Sequence, residues 1–147
     1  MRILAALILT TVLGCAQSGP QYKVDFEIRD RSEKATEPVQ HFTVNVDETG
    51  KGALREMKRV AAGSPSQDIE VGAAIQCAVQ ESGGQAALHG EIELSKITGQ
   101  ITLGATVQPV IGQKKLAFDV KVELSSPTVI VEDRKGSEVR ATVTRAN

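Results

Sequence analysis

At 147 residues, 41% of them hydrophobic, the chain is sized for one domain whose core needs no disulfide or metal staple. Seventeen Lys and Arg against eighteen Asp and Glu leave a formal charge of −1, which excludes the basic field of a nucleic-acid binder and a polybasic pull towards anionic lipid. Aromatics are 3%, three Phe and one Tyr with no Trp, too few to stack sugars or unpaired bases.

The first element is a targeting segment. Met1 and Arg2 form a short positive n-region, and Ile3 to Leu13 is an apolar run of eleven residues. A membrane-spanning helix needs roughly 20 apolar residues, so this run reads as a signal peptide over residues 1–14. It ends in "VLGC", Val12–Cys15, and turns polar at once in "AQSGPQ". An ordinary signal peptide cut after Ala16 would discard Cys15. The four residues resemble instead the lipobox of bacterial lipoproteins, whose cysteine thiol takes a diacylglycerol and becomes the new N-terminus. That resemblance implies lipid attachment at Cys15, a polar tether over residues 15–21, and a membrane partner held through acyl chains. One acyl chain holds a protein marginally, whereas two or more anchor it stably. Ala16 after the cysteine, where enteric-type sorting reads Asp as an inner-membrane signal, implies the outer membrane, facing the periplasm.

Residues 22–147 form the expected folded domain. Its dominant signal is alternation with period two. "YKVDFEIRD" sets Val24, Phe26 and Ile28 against Lys23, Asp25, Glu27 and Arg29, and "HFTVNVD" sets Phe42, Val44 and Val46 against His41, Thr43 and Asn45. "ALREMKRVAAG" is ambiguous. Leu54, Met57 and Ala61 have helical spacing and Gly63 suits a helix C-terminus, yet the segment follows a strand across the hairpin-length loop "DETGKG". A strand is expected over Ala53–Ala61. "IEVGAAIQCAV" alternates with Cys77 on the apolar side beside Ile75 and Val79. With Cys15 acylated, Cys77 has no partner for a disulfide, and a buried core position suits a lone thiol. Leu88–Leu94, Ile101–Val107, "KLAFDVKVEL" and Val139–Val143 continue the alternation, while "ESGG" and "DRKG" supply short glycine turns.

One wet face and one dry face is the mark of antiparallel sheet. The expected fold is all-β, an antiparallel β-sandwich or partly closed sheet of about eight or nine short strands. "DIEVGAAIQCAV", "AALHGEIELS" and "LAFDVKVELSSPTVIVEDRKG" together resemble the C-terminal β region of bacterial secretins, over Ala53 to Gly136. The chain departs from that family in lacking a glycine-rich closing motif and in being too short for a secretin pore. The resemblance implies a related β-meander in a small anchored protein.

Few residues offer chemistry. His41 lies on a polar strand face, the place of a solvated surface histidine. His89, Glu91 and Glu93 alternate onto one face of "LHGEIEL", the one weak metal candidate. Strand neighbours of that kind sit ~6.6–7 Å apart, wide for a single zinc ion. Ser64 and Ser82 lie in loops without G-x-S-x-G context, and no P-loop or dinucleotide fingerprint is present, so no catalytic residue and no cofactor is expected. The expected function is a non-enzymatic, lipid-anchored envelope module that meets another envelope protein through exposed strand edges. The secretin likeness implies an alternative, an accessory subunit of an envelope secretion machine. A third class, a hydrolase or hydrolase inhibitor, rests on the His89–Glu93 face alone.

Overall fold

In the computed structural model, residues 21–30, 38–62, 68–134 and 136–146 are described. Cys15, the lipobox, the tether before Gln21, Gly63 and Ser64 lie outside them. Alternating side chains drive the chain into eight strands: β1 (Gln21–Arg29), β2 (Gln40–Val46), β3 (Lys51–Ala61), β4 (Asp68–Ser82), β5 (Gln85–Leu103), β6 (Thr106–Glu123), β7 (Thr128–Glu132) and β8 (Glu138–Ala146). All pair antiparallel in one sheet of order β6-β5-β4-β3-β2-β1-β8-β7. The sheet is rolled into a nearly closed barrel, so the expected all-β, partly closed sheet is the fold.

The register places each apolar set in the interior. Val24, Phe26 and Ile28 on β1, Val44 and Val46 on β2, Ile75, Cys77 and Val79 on β4, and Leu88 and Ile92 on β5 are buried together. Phe26 of β1 meets Phe118 of β6 with ring centroids 5.7 Å apart and tilted by 51°, which ties the two halves of the sheet across the core. Ala53–Ala61 is strand, as expected. Leu54 shares the inward face with its pair Ile75, and eleven residues of β3 pair with β4.

Three strands are longer than the short ones expected, at 15, 19 and 18 residues for β4, β5 and β6. A two-residue turn, Gly104–Ala105, lies inside the Ile101–Val107 segment that reads as one strand, and Gly104 has φ +62° there. The expected Gly83–Gly84 turn has both residues at positive φ, as a tight type I′ hairpin requires.

Two seams interrupt the wall. β2 and β3 share a single register pair, Val46–Gly52, and splay apart beyond it. β6 and β7 are the two sheet edges, and side chains and turns join them. Ser125, just after β6, donates its N–H to the Val143 carbonyl of β8 at 2.8 Å. At the end where β1 begins, buried Tyr22 donates to Glu81 Oε2 at 2.6 Å, and Arg145 clasps the same carboxylate.

Candidate functional site

His89, Glu91 and Glu93 stand on the outer face of β5, above Leu88, Ile92 and Leu94 on the inner side. A lysine enters this row. Lys115 on β6 reaches Glu91 Oε1 at 2.6 Å and Glu93 Oε1 at 3.0 Å, because Glu93 and Lys115 are register partners. The ammonium holds the Glu93 carboxyl below its ordinary range, and the two carboxylates, Glu91 first, hold the Lys115 ammonium above its own. Between these carboxylates sits a cation of the protein itself. Among the described residues no group of three or more His, Cys, Asp or Glu side chains is placed to hold a metal ion. His41 is exposed on β2, and Ser82 is exposed beside the Gly83–Gly84 turn. Cys77 is 5% exposed in the core, and burial pushes its thiol up to about 11.

Where β2 and β3 splay, the barrel opens into a cavity of about 770 Å³. Its floor is apolar, with Ile28, Phe42, Leu94 and Leu116. One wall is a polar network that sequence reasoning missed, since its members are up to 107 residues apart. Lys114 on β6 pairs with Asp133 Oδ2 at 2.8 Å and donates to the Ser137 hydroxyl. Ser137, 2% exposed, donates its hydroxyl to Asp30 Oδ1 at 3.0 Å and its N–H to Asp133 Oδ1 at 2.9 Å. A serine beside a lysine suggests a nucleophile and its base, but the bonds run the other way. The Lys114 amine is ion-paired with Asp133 and donates to Ser137, whose hydroxyl is in turn committed to Asp30. The network bolts β6 to the β7–β8 turn and closes the seam.

The β5–β6 hairpin then runs on past the barrel. β4 stops pairing with β5 at Ser95, so among the described residues Lys96–Leu103 and Thr106–Gly112 pair only with each other, as a two-stranded ribbon. A register shift lies between Ile97 and Gly99. Of the six large hydrophobic side chains exposed among the described residues, four are on the ribbon: Ile97, Ile101, Leu103 and Val107. Alternation gave no hint of this surface, because both faces of the ribbon are wet. Charge does mark it in the sequence. From Ile97 to Gln113 seventeen residues pass without Asp, Glu, Lys or Arg, whereas 24% charged residues would put about 17 × 0.24 ≈ 4 there.

Comparisons of the chain with protein-family models, with curated proteins and with solved structures found no match.

Proposed function

We propose that the protein is a lipid-anchored module of the cell envelope. In this reading acyl chains on Cys15 hold it in the outer membrane, facing the periplasm, and its β-domain binds another envelope protein without catalysing a reaction. The observation that carries the reading is the polarity of the domain. The chain enters β1 at Gln21, six residues after Cys15, at the end clasped by Tyr22, Glu81 and Arg145. β5 starts at that same end and runs 19 residues to Leu103, about 60 Å of extended strand. The apolar two-stranded ribbon therefore lies at the end of the domain remote from Gln21, and in this reading that is where a tethered domain meets other molecules. Exposed apolar patches and unpaired edges are the features that recruit partners.

In-cell photo-cross-linking of the full chain tests this, with the probe at Val107 on the ribbon or at Lys121 near the anchored end. Adducts in the envelope fraction from Val107, and none from Lys121, are expected. A secretion-channel protein among them would favour the accessory-subunit reading. No adduct from either position, with the protein recovered in the soluble fraction, would remove the proposal.

A further inference from the structure

The cavity beside the β2–β3 splay is a pit rather than a groove. Ile28 of β1, Phe42 of β2, Ala73 of β4, Leu94 of β5 and Leu116 of β6 all line it. One inward position deeper on β1 and β6, the contact between Phe26 and Phe118 closes its bottom. Its volume of about 770 Å³ falls within the roughly 300–1,000 Å³ of pockets that take small molecules.

Apolar surface is what this lining leaves unmet. Among the described residues no buried side-chain nitrogen or oxygen lacks a hydrogen-bond partner. The polar wall is satisfied within itself, since Lys114 pairs with Asp133 and the Ser137 hydroxyl donates to Asp30. A peptide segment or a sugar would bring amides or hydroxyls that find no partner at the bottom of the pit. Phe42 and Leu94, by contrast, line the pit and are only partly buried. Phe42 is the one aromatic among the described lining residues here, so a planar ring finds little to stack on and an aliphatic ligand fits better. Four basic and three acidic side chains share the lining, so their charges nearly cancel and select neither an anionic nor a cationic head group.

We infer that this pit binds one hydrocarbon chain of a lipid, seated on Ile28, Leu94 and Leu116 with its polar head at the β2–β3 opening. The inference goes beyond the protein-binding reading and does not depend on it, because that reading is tested at Val107, which does not line the pit. Each methylene that leaves water for the aliphatic floor contributes to binding, whatever head group carries the chain.

Photolabelling of the full lipidated chain in phospholipid vesicles tests the inference. The probes are a diazirine-bearing palmitic acid and a phosphatidylethanolamine with the same diazirine in one chain. Peptide mapping by mass spectrometry should place adducts on the strand segments that hold Phe42, Leu94 and Leu116. The probe that labels them tells a free fatty acid from a phospholipid as the source of the chain. An excess of the same lipid without the diazirine should compete these adducts away in the wild type, a check that needs no variant. Leu94→Trp fills the pit and Phe42→Gln makes its floor polar, and circular dichroism verifies that each is folded. Either variant should cut labelling in the pit at least about tenfold, the loss expected when two methylenes lose their burial. Val129→Trp, exposed on β7 and outside the pit, should leave it unchanged. Adducts confined to the residues next to Cys15, adducts that plain lipid does not compete away, or pit labelling indifferent to both Leu94→Trp and Phe42→Gln would overturn the inference.

Discussion

Gly90 sits where β5 presses closest on its neighbours, and replacing it with alanine should be among the most damaging small changes in the domain. A Cβ there would lie 2.1 Å from the Gln76 carbonyl oxygen, 2.8 Å from the Cys77 Cα and 2.9 Å from the Phe118 ring. Carbon–oxygen contacts settle near ~3.3 Å, so β4 would have to retreat by about 1 Å. Two of the three obstacles are backbone, and Phe118 is 5% exposed and held against Phe26, so no flexible side chain can give way. Overpacking costs about 1–3 kcal/mol, and each ladder hydrogen bond lost adds about 1, for a total of roughly 3–4 kcal/mol. At about 4 °C per kcal/mol for a domain of this size, thermal unfolding followed by circular dichroism should shift down by 12–16 °C. Gly99, on the same strand, is the control, because a Cβ there meets nothing within 4 Å. Gly99→Ala should leave stability unchanged or raise it by up to ~1 kcal/mol through the unfolded chain. If Gly90→Ala melted within 2 °C of wild type, the close β4–β5 contact under Phe118 would be wrong.

Cys77 should resist maleimide in the native protein and react only on unfolding, followed by mass spectrometry. Burial raises its thiol from an ordinary 9.0 to about 11, so the protonated form favours the fold. That contribution is complete below pH about 9 and fades as pH rises towards 11, costing up to ~2–3 kcal/mol that Cys77→Ala should not lose. Ser137→Ala should cost about 1–3 kcal/mol in urea unfolding, because Lys114 and Asp30 each lose a partner at a buried position. Changing His89, Glu91 and Glu93 together to Gln should move stability by no more than about 1 kcal/mol, as befits an outer strand face. A divalent metal that raised the melting temperature of wild type but not of this triple variant would restore the cation-site reading.

The alternating faces of β1, β2, β4 and the second half of β6 were legible because each buries one side of a strand and wets the other. "KLAFDVKVEL" is the plainest case, with Leu116, Phe118 and Val122 buried and Asp119, Lys121 and Glu123 exposed. β3 was ambiguous for a physical reason. Two of its five inward positions are Glu56 and Lys58, which lie where the barrel has opened, so packing against β4 decides its state and propensity does not. The Gly104–Ala105 turn was hidden because alternation runs unbroken through Ile101, Leu103 and Val107. The seam network could not be read at all. Asp30, Lys114 and Ser137 each look like one more surface polar residue until closure brings them together. The ribbon was missed because pattern reading looks for the dry face of a strand, and here the signal was a missing charge.

Metabolic labelling with radioactive palmitate, combined with membrane fractionation, tests most directly whether this domain works from a lipid anchor. Wild type should carry label and sediment with outer membranes, while Cys15→Ala should carry none and leave the membrane fraction with its β-domain still folded. An unlabelled wild-type chain, soluble in the periplasm, would contradict the proposed function.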